Sequence, residues 1–170
     1  MDTFLTIASR RETRHYADRP LPGEVVEHIL DAGRLAGSAQ NRQPWTFLIV
    51  ESADRRAALA DAVYAPDNVR GAQLVIAIVV TGKGPISFDA GRAAQNMLLA
   101  AWNEGVGGSP NGIADDTRAR DTLGLADDDN VAIVLSFGYP SRPRDPESGA
   151  ASEWSRRAKR KPLDEVVRRI

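Results

Sequence analysis

Apolar side chains recur along this chain with two different periods, and the places where the period changes divide it into elements. From Gly23 to Arg34, Val25, Val26, Ile29 and Leu30 fall on one face of a helix, with Gly33 and Gly37 small enough for close packing or a stop. Ahead of it, Asp2 and Thr3 offer a cap before Phe4, Leu5, Ile7 and Ala8, which predicts a short amphipathic helix; Pro20 and Pro22 then break the chain. Thr46 to Val50 is a β-branched and aromatic run and Leu74 to Val80 a continuous run of Val, Ile, Leu and Ala, and both read as buried strands. Between them Ser52 caps an alanine-rich helix reaching about Val63, followed by a looser segment, Tyr64 to Gly71, that carries Pro66 and Asn68.

The longest helical stretch is Phe88 to Asn103, where small or apolar residues at 90, 93, 94, 97, 98, 100 and 101 cover more than one face. Such a helix is buried on two sides. A subunit interface is the preferred second surface, with a central position inside one chain as the alternative. Residues 105–112 are too glycine-rich to predict regular structure. Asp115 or Asp116 caps a helix ending at Leu123-Gly124, and Val131 to Phe137 is a third strand closed by Gly138-Tyr139-Pro140. Ser141 to Ala151, rich in Pro, Ser and Gly, reads as an arm running over a surface. No repeat or heptad interrupts this order, which implies an α/β or mixed α+β layered domain with a three- to five-stranded sheet.

At 170 residues the chain suits one domain, long enough to bury about two-thirds of its unfolded surface. With 22 basic against 23 acidic side chains it gains little from nonspecific attraction to nucleic acid or to an anionic membrane, so any anion site must be local. The absence of cysteine removes disulfides and thiolate chemistry, and two histidines, His15 and His28, do not make a zinc centre; no metal is expected. The longest apolar run is too short to span a bilayer and the N-terminus lacks a signal-peptide segment, which reads as a cytoplasmic protein.

One local anion site is suggested at once. Arg10-Arg11-Glu12-Thr13-Arg14 puts three guanidinium groups into five residues, and Arg156, Arg157, Lys159, Arg160 and Lys161 form a second basic cluster. A guanidinium fork suits phosphate and the carbonyl edge of a heterocycle better than a lysine point charge does. Six segments, in order, resemble the flavin-dependent nitroreductase family: residues 10–14; Ser38-Ala39-Gln40-Asn41-Arg42-Gln43-Pro44-Trp45 running into a strand; the Ala94-Gln95-Asn96-Met97-Leu98-Leu99-Ala100-Ala101 helix; the glycine-rich turn at 107–112; Phe137-Gly138-Tyr139-Pro140; and Arg160-Lys161-Pro162-Leu163.

The resemblance implies an α+β fold with a mixed central sheet flanked by helices. It further implies one FMN-binding domain over 1–170 with an arm from about 141, and an intertwined homodimer holding FMN at the interface. Carried over by position, Arg10 and Arg11 grip phosphate and ribityl, and Arg14 meets the flavin pyrimidine edge. Gly37, Ser38 and Ala39, with Asn41 and Gln43, belong to the loop that the other subunit sets against the ring. Asn68 joins the flavin contacts, Asn111 and Gly112 fall near the backbone donor to flavin N5, and Arg160 with Lys159 or Arg157 forms the late basic pair on the phosphate. Glu12 departs from the serine common at its position: an ionised carboxylate cannot donate to a phosphate and is repelled by it. Acidic residues do occur there in some flavin-fragmenting relatives.

The function implied is hydride transfer from NADH or NADPH through FMN to an electron-poor acceptor, a nitroaromatic, a quinone or similar, in two half-reactions. Arg14 would favour the negative charge that reduction brings to the pyrimidine edge. No Gly-x-Gly-x-x-Gly follows a strand, which fits a nicotinamide cosubstrate that only visits. Only residues 81–87 join the second strand to the long helix, too short for the helical lid of many relatives, so an open flavin is expected, or one roofed by residues 64–71 or the partner's arm. Trp45, Trp102 and Trp154 read as packing residues, and neither histidine is given a catalytic role. The rival readings are a flavin destructase or dehalogenase-type relative, a flavin-binding protein with little turnover, and a nucleic-acid module working through the basic tail.

Overall fold

Leu74–Thr81 is buried at every position but its last, and it forms the middle of a sheet whose faces are both covered. The computed structural model describes residues 1–170. In chain order the elements are α1 (Thr3–Ser9), α2 (Gly23–Arg34), β1 (Trp45–Ile49), α3 (Ala53–Ala60), α4 (Pro66–Arg70), β2 (Leu74–Thr81), α5 (Ile86–Asn103), β3 (Gly107–Asn111), α6 (Asp116–Leu123), β4 (Asp129–Gly138), α7 (Ala151–Arg157) and α8 (Leu163–Val166). They divide into two compact units, one of residues 12–143 and one made from residues 1–11 with 144–170.

In the larger unit the strands order β1-β2-β4-β3, and all three ladders are antiparallel. Parallel pairing is limited to the bridge between Glu12 and Gly108. Because side chains alternate across a strand, Leu74, Ile76, Ile78 and Val80 join Leu135 and Phe137 on one face, under Met97, Leu98 and Ile29. Val75, Ala77 and Val134 take the other face, under Leu59, Val63, Val69 and Ala119. Burial on both faces is why β2 reads as a continuous apolar run although it is antiparallel. No helix is long and apolar enough to cross a membrane.

Three expectations change. One covering surface of α5 is α2 of the same chain, the alternative rather than the preferred reading: α5 lies between the sheet and α2, and a Cβ at Gly33 would stand 2.2 Å from Met97 Cε and 2.9 Å from its Cγ, so glycine lets the two helices approach this closely. The glycine-rich stretch is a strand. A Cβ on Gly107 would meet Thr13 Oγ1 at 2.2 Å, and one on Gly108 would meet Phe137 Cδ1 at 2.7 Å and Leu98 Cδ2 at 2.8 Å. Those glycines answer close packing rather than a need for backbone freedom. The looser segment contains α4, which Pro66 starts, since proline at a first helical position loses no intrahelical bond.

In the smaller unit Asp2 caps α1 through its Oδ1, accepting from the Phe4 and Leu5 amides at 2.9 and 3.0 Å. The face that α1 buries carries Thr6 and Ser9, while Phe4 and Ile7 are exposed, the reverse of the amphipathic expectation. The segment read as a featureless arm has its own anchor. Trp154 of α7 is buried and its Nε1 donates to the Pro146 carbonyl at 2.8 Å, just after Asp145 caps a 3₁₀ turn over Pro146–Ser148.

Candidate functional site

The smaller unit gathers arginines. Arg10 ends α1 as its C-cap. Arg11 Nη1 donates to the carbonyls of Ala8 and Arg10 at 2.7 and 2.8 Å and Nη2 to that of Trp154 at 2.9 Å, with the guanidinium 6.0 Å from the Trp154 ring centre. Three bonds occupy three of its five N–H donors, leaving Nε and one Nη2 proton. Burial lowers the Arg11 pKa, and the positive charges of Arg144, Arg160 and Arg10 lower it further. A cation held among cations is an arrangement that a bound anion would relieve. Arg160 and Lys159 are exposed, and Lys159 adopts a left-handed φ of 50°. The Arg157 guanidinium lies over the Trp154 ring, 5.3 Å from its centre. Arg144 was not singled out from sequence; its only signal was that the Pro-rich arm carries two arginines, at 142 and 144.

In the larger unit the 37–43 loop is tightly specified. Ala39–Asn41 form a 3₁₀ turn in which Gln40 and Asn41 have φ of 54° and 56°, and Gln43 follows with 50°. Left-handed conformations are uncommon for residues with a Cβ. Ser38 Oγ accepts from the Gln43 amide at 2.8 Å, Gln43 Nε2 donates to the Asn41 carbonyl at 3.3 Å, and the Ala39 amide donates to Asp89 Oδ2 at 3.1 Å. Gly37 lies under the Arg92 guanidinium, where a Cβ would be 2.3 Å from Nη2.

Asn68 and Asn111 are also brought together, but on each other. Asn68 Nδ2 donates to Asn111 Oδ1 at 2.9 Å, and Asn111 Nδ2 faces the Ser109 carbonyl, Ser136 Oγ and the Val134 carbonyl at 3.1, 3.1 and 3.2 Å. Tyr16 extends the network: its hydroxyl lies 2.7 Å from the Thr13 carbonyl, 3.0 Å from Ser136 Oγ and 3.1 Å from the Ser136 carbonyl. Burial above all raises the Tyr16 pKa to about 12; the Ser136 bond and Arg14 pull it down while Glu12 pushes it up. This network was missed in the sequence, where an asparagine is equally a ligand or a core amide. Beyond it, the Tyr64 amide donates to the Gly112 carbonyl at 3.0 Å, and the Tyr64 ring is 78% exposed beside that glycine. Arg14 and Glu12 are exposed, and Arg14 makes no hydrogen bond within the chain. β2 passes to α5 through residues 82–85 alone, so no helix is inserted between them.

The sequence profile of the Nitroreductase family matches residues 7–79 and 66–139. The chain belongs to the Nitroreductase family. An Archaeoglobus fulgidus protein assigned as an NADH dehydrogenase/NAD(P)H nitroreductase is 34% identical over 149 residues, covering 82% of this chain and 86% of its own. The NADH dehydrogenase of Thermus thermophilus is 31% identical, with 98% of this chain and 95% of its own covered. A protein from Desulfovibrio desulfuricans assigned as a nitroreductase and solved in complex with FMN matches the fold with a TM-score of 0.82 at 29% identity, over 98% of this chain and 96% of that one.

Within this nitroreductase-family chain the expected packing residues behave as such. Trp102 and Trp154 are buried, and Trp45 packs on the core with its ring parallel to that of Phe47 at 6.2 Å. His28 Nδ1 is 2.8 Å from Glu104 Oε1 at the surface, and His15 is exposed.

Proposed function

We propose that this protein is an FMN-dependent oxidoreductase that passes hydride from NADH or NADPH to electron-poor small molecules such as nitroaromatics or quinones, working as a homodimer with one FMN-binding domain per chain. The observation that carries the reading is the cluster of Arg10, Arg11, Arg144 and Arg160, whose mutual repulsion is felt at Arg11, in a family with an FMN-bound member. The donor set fits the cofactor: guanidinium forks match a phosphate dianion, and the two free N–H groups of Arg11 are enough for one such contact.

Bound FMN would supply the redox chemistry, taking up hydride from the reduced nicotinamide and giving it to the acceptor. Everything else falls to the chain. Arg10, Arg11, Lys159 and Arg160 hold the phosphate end, with Arg144 added to them. Arg14, exposed and without a partner for its hydrogen bonds, meets the pyrimidine edge and favours negative charge there. The loop of Gly37, Ser38, Ala39, Asn41 and Gln43 covers the ring from the other subunit. Asn111 and Gly112 act through the backbone, because the Asn111 side chain is spent on the internal network, and Asn68 joins the flavin contacts beside them while its Nδ2 holds Asn111 Oδ1. The short 82–85 connection leaves the acceptor side open, which suits varied acceptors. Exposed Phe4, Ile7, Leu163, Val166 and Val167 in the smaller unit support pairing of two copies.

The absorption spectrum of the purified protein tests this directly, followed anaerobically on adding NADPH and then a quinone. The expected result is a yellow dimer that bleaches with NADPH and recovers colour with the quinone. Colourless material that takes up no FMN overturns the reading, and a bound flavin that neither nicotinamide reduces points to a binding protein.

A further inference from the structure

Asp89 stands out among the charged residues because it is only 2% exposed, the one charged side chain among the buried residues of α5, which are otherwise apolar, and no step of the chemistry above uses it. A buried carboxylate is costly unless hydrogen bonds and favourable fields compensate it. Its place in the first turn of an 18-residue helix supplies part of that compensation, since a helix N-terminus favours negative charge. The rest comes from outside the helix: Oδ2 accepts the Ala39 amide at 3.1 Å.

We propose that Asp89 is a positioning residue that locks the 37–43 loop in its left-handed conformation, which rests on the reading above that this loop covers the flavin ring. The loop contains three residues with a Cβ at positive φ, Gln40, Asn41 and Gln43, so its local preference is for other conformations. Its internal ties close the turn on itself: the Asn41 amide donates to the Ser38 carbonyl at 3.0 Å, the Arg42 amide to the Ala39 carbonyl at 3.1 Å, and the Gln43 amide to Ser38 Oγ at 2.8 Å. None of these fixes the turn to the body of the protein. Two groups of α5 do, one helical turn apart: the Asp89 carboxylate on the Ala39 amide, and the Arg92 guanidinium over Gly37. An apolar residue at 89 would suit the buried helix face better and would leave Ala39 unanchored. A carboxylate there makes sense as a bond to the loop.

The full-length protein with Asp89→Ala, Asp89→Asn and Ser38→Ala provides the test, with hydrogen exchange of residues 38–43 in flavin-free protein as the first measurement. Asp89→Ala is expected to speed exchange at Ala39, Asn41 and Gln43 and, in the flavin-loaded protein, to weaken FMN binding about tenfold, the usual scale for one hydrogen bond to a charged group, with a changed visible circular dichroism of the flavin. Asp89→Asn keeps an oxygen that can accept the Ala39 amide and should restore most of both. Ser38→Ala opens the other end of the turn at a half-buried site, and should move both measurements the same way by less. A lowered melting temperature of Asp89→Ala with wild-type loop exchange and wild-type flavin dichroism would overturn the proposal, leaving Asp89 a residue of helix stability alone. If Asp89→Ala does not fold, Asp89→Leu, which suits the buried helix face and cannot accept the Ala39 amide, takes its place, and wild-type exchange of residues 38–43 in that variant overturns the proposal as well. Wild-type protein that takes up no FMN defeats the functional reading instead, and the exchange measurement still decides whether Asp89 holds the loop.

Discussion

Arg11 in the unit of residues 1–11 and 144–170 and the amides of residues 12–143 are both polar groups drawn partly out of water, yet the amide network has closed on itself and Arg11 keeps two N–H groups unused. Asn111 meets one donor and three acceptors inside its own unit, and Asn68, Ser136 and Tyr16 complete the set. Arg11 has three carbonyl bonds and is otherwise surrounded by like charge. A neutral network that satisfies itself contributes rigidity; a guanidinium held among like charges with two N–H groups left over favours a bound anion.

The largest effect should come from removing the cations. Arg10→Ala with Arg160→Ala takes away two charge-assisted contacts, each worth about 1.5–3 kcal/mol, so FMN affinity should fall at least a hundredfold while the sheet unit keeps its stability. Titration of apoprotein with FMN reads it, and unchanged affinity would show that the arginine cluster is not the phosphate site.

Asn111→Leu attacks the other member of the pair. It strands the Asn68 amide and removes the donor facing the Ser109 and Val134 carbonyls, at a cost of roughly 2–4 kcal/mol from buried groups left without partners. Urea denaturation should register nearly all of this. If stability is unmoved but FMN is lost, Asn111 is a ligand rather than a member of a self-satisfied network.

Arg14→Ala sits between the two, a cation in the sheet unit that no bond holds. Its removal should leave the melting temperature almost unchanged, as for most exposed substitutions, and slow flavin reduction by NADPH about tenfold, which corresponds to about 1.4 kcal/mol of transition-state stabilisation. Stopped-flow reduction under anaerobic conditions measures it, and an unaltered rate would take the pyrimidine edge away from Arg14.

The elements built on periodicity were legible with nearly their observed ends: α2 spans Gly23–Arg34, and α6 runs from its Asp115 cap to a left-handed Gly124. What escaped depends on contacts between distant segments. Gly107 and Gly108 look like loop glycines until Thr13, Leu98 and Phe137 are seen filling the space of their missing side chains. The covering of α5 by α2 turns on Gly33 against Met97, which composition cannot distinguish from an intersubunit seam. Family positions alone do not give roles, because nothing local tells that Asn68 and Asn111 answer each other, or that Arg144 acts on Arg11. Left-handed φ at Gln40, Asn41 and Gln43 was invisible for a related reason: none is glycine, and Asp89 lies about fifty residues away.

The smallest effect concerns Tyr16, where the satisfied network meets pH. Its phenol is raised from 10.0 to about 12, chiefly by burial, so the folded protein keeps the proton longer than the unfolded chain does. Between those values the unfolded state binds fewer protons, and the stability contributed by the neutral phenol, fully present below pH 10, is lost as pH climbs through the folded value. Tyr16→Phe removes that titration along with the hydroxyl. At pH 8 it should cost about 1 kcal/mol, the usual net value of a neutral hydrogen bond, since the Thr13 carbonyl loses its donor. As pH rises from 10 towards 12 the wild type should lose stability faster than the variant, and the gap between their urea midpoints should close. Parallel curves across that window would mean that the phenol ionises alike in both states, and that the network around Ser136 is looser than its distances imply.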